Sequence, residues 1–377
     1  VAHILFPYIA QPHQEFHSLP IALEMSRLYP DIQVHIASLT PERDARIRRL
    51  SQCYPQSRVS FDLLRQPAWI RRHLERYGPT PLSKLAVLFS NRNYFNRFQA
   101  IVVPERTSLY LRRMGVIHPR LIWTRHGAGD RAIGFARDAR HFDHILLAGP
   151  KVERRLLEAG ALRPEHYTTG IYAKFDMVRR LHTGHARLFA NDRPTIIYNP
   201  HFSPRFSSWP RFGRKVLEYF AYQTKYNLVF APHYRLFDAD RQETMKILAP
   251  FMSLSHMIID PGSDRSVDMT YTLAADLYMG DVSSQIGEFL IRPRPCLFLD
   301  AHRTRWRENP DYESWTLGRV MNNVDGLETG LDTAFRSHAN FLDRQKEYIR
   351  DTFGFAAPVD TAAKGAKSII DFLRVIG

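Results

Sequence analysis

Cysteine is scarce: the 377-residue chain has only Cys53 and Cys296, too few and too far apart for a disulfide framework or a cysteine-rich zinc site. Long apolar runs are missing as well. The best, around 85–89, falls far short of the ~20 residues a membrane-spanning helix needs. Neither a Walker sequence nor GxGxxG occurs, which argues against a P-loop ATPase and a nicotinamide dehydrogenase. Carboxylates do not cluster as a metal would require. No helix-turn-helix, RRM or zinc pattern marks a nucleic-acid binder, so no nucleic-acid partner is expected. The chain opens on Val1-Ala2-His3-Ile4-Leu5-Phe6, which reads as a core strand and leaves no room for a signal peptide. With so few cysteines, the expected setting is cytoplasmic.

What is present in surplus is positive charge. Lys plus Arg number 52 against 38 for Asp plus Glu, a formal net charge of +14. That sign suits a polyanionic partner: nucleic acid, an anionic membrane face or a phosphorylated substrate. Apolar residues at 44% and charged residues at 24% describe an ordinary globular chain. Its length suits two domains of ~150–190 residues each.

Strand-like and helix-like segments alternate throughout. An apolar strand at 4–6, a polar loop at 11–17, a helix at 19–28 and a strand at 33–37 make one βαβ unit. Strands at 100–103, 120–123, 144–148 and 167–171, with helices at 108–114 and 150–159, extend it into a doubly wound domain over 1–182. Within it, 43–97 reads as a basic, aromatic-rich insertion, with Arg71, Arg72, Arg76, Lys84, Arg92 and Arg97 among Trp69, Tyr77, Phe89, Tyr94 and Phe95. Two readings fit it: helices with solvated basic faces, or a patch for an anionic membrane surface. The series restarts at 194–198 and runs through strands at 227–230, 257–260, 277–279 and 296–299, giving a second such domain over 190–340. Residues 341–377 have helical apolar spacing and are expected to pack back toward the first domain. The fold class is α/β, two doubly wound Rossmann-like domains.

Ligands of such sheets bind beyond the carboxyl ends of the strands. Following the strand that ends at Trp123 comes Thr124-Arg125-His126-Gly127-Ala128-Gly129-Asp130. There the glycines permit close backbone approach, His126 titrates near neutral pH and Asp130 is placed to orient it. The loop after the first strand brings Gln14, Glu15 and His17 toward the same edge as acceptor-side candidates, with Gly127. In the second domain, Asn199-Pro200-His201 and Ala231-Pro232-His233-Tyr234-Arg235 each follow a strand, and His233 with Arg235 forms a cationic pair suited to phosphate. Asp281-Val282-Ser283-Ser284-Gln285 lies between a strand and an apolar helix, where Ser283 or Ser284 can cap the helix while its amides receive a phosphate. Glu288 lies one turn on, placed either to hold a ribose hydroxyl or as a surface acid.

These motifs together resemble the CDP-glycerol glycerophosphotransferase family of teichoic-acid and capsule polymerases. The likeness rests on His126-Gly127, Asn199-Pro200-His201, Ala231-Pro232-His233 and Leu277-Tyr278-Met279-Gly280-Asp281-Val282-Ser283-Ser284, followed by Arg294-Pro295-Cys296-Leu297-Phe298, and spans roughly 120–375. It implies a GT-B fold with the two domains facing across a cleft and the nucleotide on the second. By that likeness His126 is the base, His233 a phosphate-contacting histidine, and Ser283 and Ser284 the pyrophosphate loop. The family reads Trp-His-Gly-Thr and Asp-Tyr-Ser-Ser where this chain has Arg125-His126-Gly127-Ala128 and Asp281-Val282-Ser283-Ser284. Those departures leave CDP-glycerol, CDP-ribitol and a nucleotide sugar open as donors.

The expected activity is transfer of a glycerol-phosphate or related unit from a CDP-linked donor to a hydroxyl of a cell-surface polymer or lipid-linked glycan. His126, His233 and Asp130 are the expected catalytic residues; Arg235, Asn199, His201, Asp281, Ser283, Ser284, Gln285 and Glu288 the donor-binding ones. No cofactor or metal is expected. The partners are the nucleotide-activated donor, an anionic or lipid-linked acceptor and, peripherally, an anionic membrane at the inner face of the plasma membrane. A nucleotide-sugar glycosyltransferase of capsule or lipopolysaccharide synthesis and a catalytically idle GT-B binding protein are the alternatives.

Overall fold

The computed structural model describes residues 2–9, 11–77, 80–130, 135–182, 184, 187–238, 240–355 and 360–376. The chain divides into two compact units. Unit 1 comprises Val1–Gly127, Phe135–Leu181 and Thr352–Gly377; unit 2 comprises Ala128–Gly134 and His182–Asp351.

Unit 1 is built on seven parallel strands: β1 (Ala2–Tyr8), β2 (Ile32–Ser38), β3 (Val59–Leu63), β4 (Ala100–Val103), β5 (Arg120–Trp123), β6 (His144–Leu146) and β7 (Tyr167–Thr168). They lie in the order β3-β2-β1-β4-β5-β6-β7. Unit 2 has six: β8 (Thr195–Asn199), β9 (Asn227–Phe230), β10 (Met257–Ile259), β11 (Leu277–Gly280), β12 (Cys296–Leu299) and β13 (Arg319–Met321), in the order β10-β9-β8-β11-β12-β13. All the pairings are parallel, Ile4 facing Val34 and Met279 facing Tyr198. A parallel strand covered by helices on both faces is apolar throughout rather than alternating. Ile4, Leu5 and Phe6, like Leu277, Tyr278 and Met279, are accordingly completely buried.

The order reverses between β1 and β4 in unit 1 and between β8 and β11 in unit 2. A crevice opens at such a reversal because the crossovers on either side leave in opposite directions, and ligands bind there. Gly280 ends β11 at one of these points. A Cβ there would stand 2.6 Å from the Asn199 carbonyl oxygen, so only glycine lets the two strand ends come this close.

Three expectations are corrected. Segment 43–97 is not wholly an insertion, because it contributes β3, the edge strand paired to β2 from Val34–Val59 to Ser38–Leu63. Only the helices Ala68–Tyr77, Pro81–Ser90 and Arg92–Phe95 are additional, and polar Ser60 and Asp62 hide the strand because an edge position leaves it half-buried. The tail does not behave as one block. The helix Leu342–Phe353 falls almost entirely in unit 2, whereas Thr361–Ile376 packs on the buried helix Glu15–Leu28 of unit 1, where a Cβ on Gly365 would sit 3.1 Å from Ile21 Cδ1. Finally, the polar loop expected at 11–17 is a 3₁₀ turn, Pro12–Gln14, running straight into that buried helix.

Candidate functional site

In unit 1 the expected residues His126 and Gly127 lie on the loop leaving β5. Arg125 and Gly127 both adopt left-handed backbone conformations, φ 58° and 79°. For a side-chain-bearing residue this costs ~1–2 kcal/mol, which surrounding contacts must offset. The Arg125 guanidinium lies 4.9 Å over the Trp123 ring and 5.3 Å over Phe135, and Arg125 is buried. That double stack holds the elbow.

The elbow turns His126 so that its Nδ1 lies 2.8 Å from the Pro104 carbonyl oxygen. A carbonyl only accepts, so Nδ1 carries the hydrogen and the lone pair of the neutral ring is on Nε2. The Trp123 indole donates to the same carbonyl at 3.1 Å, fixing the ends of β4 and β5 together. His126 is exposed, between buried Arg125 and half-buried Gly127. Desolvation is the first cause of a pKa held below the ordinary value; the Pro104 carbonyl and Glu105 oppose it, and Arg125 and Lys84 add to it. A neutral imidazole with a fixed Nε2 lone pair is what a general base requires.

Around it, the His13 ring stands 5.4 Å from His126 and 6.5 Å from His17. His17 is buried, 5.1 Å from Tyr172, and its pKa lies well below the ordinary value, first through burial and then through Lys174 and His126. Gln14 and Glu15 do not serve as expected. The Gln14 amide donates to Glu105 at 2.9 Å, and that carboxylate also holds Lys84 at 3.2 Å. Glu15 is fully buried against Arg43, at 2.8 Å, and Arg46. Both point into the body of unit 1 because they open a helix buried on all sides. Asp130 is likewise a structural anchor within unit 2: its carboxylate accepts from Ser314 N at 3.1 Å and from Tyr348 Oη at 3.0 Å. The group that orients His126 is a backbone carbonyl.

In unit 2 the residues gather at the β8/β11 reversal. Asn199 is buried and spent on the strands: its Nδ2 donates to Ala231 O at 2.6 Å and its Oδ1 accepts from Tyr278 Oη at 3.1 Å. Asp281 is also internal. Its Oδ2 accepts from His201 N and Ser208 N, both at 2.8 Å, so it clamps the loop between them. Complete burial pushes the carboxyl up to about 7, only partly offset by those amides. Neither side chain is placed to meet a donor directly; both shape the loops that do.

Those loops present two histidines of defined tautomer. His201 Nδ1 accepts from Ser203 N at 2.9 Å, and His233 Nδ1 accepts from Arg235 N at 3.2 Å, so each neutral ring carries its hydrogen on Nε2. Their rings stand 5.9 Å apart, and Phe202 packs against both, 4.5 Å from His201 and 4.6 Å from His233, with the Arg235 guanidinium over its ring at 4.7 Å. His233 is half-buried, Arg235 exposed and His201 buried.

The helix expected to receive phosphate, Gln285–Leu290, has only six residues. Ser284 makes no capping bond; Ser283 Oγ accepts from Gln285 N at 3.2 Å instead. So short a helix gathers little dipole, and any anion here would meet the Ser283 and Ser284 hydroxyls and Gln285 rather than a helix terminus. Glu288 is buried, which removes the surface-acid reading. Among the described residues no cluster of three or more His, Cys, Asp or Glu is placed to hold a metal.

Sequence reasoning missed Pro104, Arg125, Tyr172 and Lys174 in unit 1 and Phe202, Ser208 and Tyr278 in unit 2. A backbone carbonyl leaves no trace in residue type. Tyr278, a polar ring within an apolar strand, was the one visible signal.

No protein-family model and no curated protein sequence matches the chain. Solved structures do. The wall teichoic acid polymerase TagF is 14% identical with a TM-score of 0.64, covering 100% of this chain and 90% of its own. A variant of it solved after a soak with CDPG gives the same identity and TM-score, with 89% of that chain covered. The UDP-GlcNAc 2-epimerase from Neisseria meningitidis, bound to UDP-GlcNAc, is 10% identical with a TM-score of 0.59, covering 99% of this chain and 100% of its own. At such identities the likeness establishes the fold, and the fold is GT-B.

Proposed function

We propose that this protein is a GT-B transferase that moves a glycerol-phosphate or related alditol-phosphate unit from a CDP-linked donor to a hydroxyl of a cell-surface polymer or lipid-linked glycan. The observation that carries this reading is the His126 ring, held by Pro104 with its lone pair on Nε2 and its pKa held below the ordinary value. The acceptor hydroxyl oxygen attacks the phosphorus that bears the glycerol, and its proton passes to His126 Nε2. The bond to the bridging oxygen of the diphosphate breaks, and CMP leaves with the electron pair. In unit 2, His233 Nε2–H, the Arg235 guanidinium and the Ser283 and Ser284 hydroxyls are the donors suited to the phosphates of such a donor molecule. Because the solved neighbours include an epimerase bound to UDP-GlcNAc, a nucleotide-sugar donor is the competing reading.

Thermal shift against CDP, CDP-glycerol, CMP and UDP tests it. A ligand at a hundred times its Kd stabilises by about 2.7 kcal/mol, about 5–11 °C for a domain of ~200 residues. The rise is expected with CDP and CDP-glycerol and is expected to vanish in His233→Ala. A larger rise with UDP favours the nucleotide sugar, and no rise with any nucleotide favours an idle binding protein.

We further propose peripheral contact with an anionic membrane through the basic face of the helices 68–95. Trp69 and Phe89 are 61% and 53% exposed there, beside exposed Arg65, Arg71, Arg72 and Arg92. Asn91 ties the face together by exchanging hydrogen bonds with the Arg65 backbone, 2.9 Å each way. Aromatic rings among arginines suit the interface of an anionic bilayer. Among the described residues no helix is long and apolar enough to cross one. Co-sedimentation with phosphatidylglycerol vesicles but not phosphatidylcholine vesicles, lost in a Trp69→Ala/Phe89→Ala double variant, is the expected result.

A further inference from the structure

The loops leaving β8 and β12 lie side by side in unit 2 and gather exposed positive charge. Segment 302–308 reads His-Arg-Thr-Arg-Trp-Arg-Glu, and its exposure alternates: Arg303, Arg305 and Arg307 are exposed, His302, Thr304 and Trp306 half-buried. The half-buried residues fasten the loop. His302 Nε2–H donates to Ser207 O at 3.0 Å, and the buried Asp300 carboxylate accepts from the amides of His302 and Thr304 at 3.2 and 2.9 Å. The Trp306 ring stands 6.1 Å from that of buried Trp315. Arg303 and Glu308, near its two ends, both hold left-handed backbone, φ 53° and 60°, a conformation that residues with side chains disfavour.

Exposed Arg205, from the β8 loop, belongs to the same rim. Its guanidinium lies 5.5 Å over Phe206, whose ring stands 6.5 Å from Tyr312, and Tyr312 is 5.0 Å from Trp315. The Arg307 guanidinium lies 5.0 Å over Trp306. A guanidinium stacked on a ring uses its planar face and keeps its N–H edge for a bidentate oxyanion, which a lysine ammonium cannot reproduce. No ion pair holds Arg205, Arg303, Arg305 or Arg307 among the described residues. Within 300–313, Glu308 is the one exposed acid; Asp300 is buried, and Asp311 and Glu313 are half-buried. Like charges gathered in this way repel one another, and a merely solvated face needs neither the fastening nor the strained backbone.

We propose that this rim of unit 2 is a binding strip for a linear polymer that carries phosphates along its length, with Arg205, Arg303, Arg305 and Arg307 taking phosphate oxygens. Cations strung along an exposed loop suit a charge repeated along a chain, whereas a single compact anion needs donors that converge on one point. Ring by ring the strip continues from Phe206 to His201, 5.5 Å away, and from His201 to His233, 5.9 Å further. A chain lying on it therefore reaches the residues assigned above to the donor's phosphates. The acceptor of the proposed transfer is then itself a phosphodiester polymer. That identity rests on the transferase reading above; retention of a phosphate polymer by unit 2 does not.

The test is fluorescence anisotropy of labelled poly(glycerol phosphate) with the full chain, with tripolyphosphate, polyglutamate and single-stranded DNA as competitors and thermal shift with CDP as a separate arm. The polymer is expected to bind and tripolyphosphate to compete poorly per phosphate. Arg303→Gln/Arg305→Gln/Arg307→Gln is expected to weaken the polymer about tenfold or more and to lower the slope of log K against log salt by about 2–3, at ~0.7–0.9 per phosphate contact, with the CDP response unchanged. Arg193→Gln/Arg214→Gln/Lys246→Gln removes three exposed charges elsewhere in unit 2 and is expected to weaken it far less. Should the first variant fail to fold, Arg205→Lys/Arg307→Lys keeps the charge without the planar group and is also expected to weaken the polymer. No binding, equal losses in the two triple variants, or undiminished binding in the lysine variant overturns the strip. Tripolyphosphate competing equally per phosphate overturns the polymer, and tighter binding of polyglutamate or DNA overturns the phosphodiester acceptor. A chain that holds the polymer through these arginines but responds to no nucleotide keeps the strip and refutes the transferase reading.

Discussion

Asp281→Asn separates the cost of a buried charge from the benefit of the clamp it makes. In the folded chain this carboxyl is fully buried and pushed from 3.8 up to about 7, while its Oδ2 holds the amides of His201 and Ser208. At ~1.4 kcal/mol per pH unit, the difference corresponds to about 4 kcal/mol between acidic and alkaline solution. The sign follows from proton binding. Between about pH 4 and pH 7 the folded state retains a proton that the unfolded chain has released, so stability falls as pH rises and levels off above about 7. The portion between about pH 5.5 and pH 8.5 is about 2 kcal/mol. Histidines held neutral, His17 and His126, act in the opposite sense, costing stability as pH falls below ~6.5, and so contribute little to the alkaline part. Asparagine keeps an oxygen for both amides and removes the charge. Urea unfolding across this range, with amide exchange at His201 and Ser208 as the local readout, is expected to show wild type losing stability relative to the variant as the pH rises to about 7, with the difference level above that. A variant that declines in parallel with wild type refutes the reasoning.

His126→Gln is expected to lower kcat by ~10²–10⁴ with KM little changed. In wild type kcat is expected to fall only below the ordinary histidine range, because a His126 base would stay neutral above it, and this acid limb is expected to disappear in the variant. Glu15→Ala removes the carboxylate shared by Arg43 and Arg46 and is expected to cost ~3–5 kcal/mol in chemical denaturation without altering CDP binding. Gly280→Ala drives a Cβ to 2.6 Å from Asn199 O, parts the ends of β8 and β11, and is expected to lower the melting temperature by an amount corresponding to ~1–3 kcal/mol.

The sequence alone determined the two parallel sheets. Continuous apolar runs such as Ile4-Leu5-Phe6 and Leu277-Tyr278-Met279 between helical spacings admit few other arrangements, because both faces of each strand must be buried. It determined, too, that chemistry-bearing residues follow the strands, which placed His126, His201 and His233 correctly after β5, β8 and β9. It could not decide which way a polar side chain points. Gln14, Glu15, Asp130, Asn199 and Asp281 look as available in sequence as His233, and only packing turned them inward onto Glu105, Arg43, Tyr348, Ala231 and Ser208. Nor could it reveal β3, whose edge position needs no apolar run, or the Pro104 carbonyl, which any residue supplies. Burial and backbone direction arise from contacts between segments far apart in the chain, and those contacts, rather than residue type, decided which candidates are turned into structural anchors.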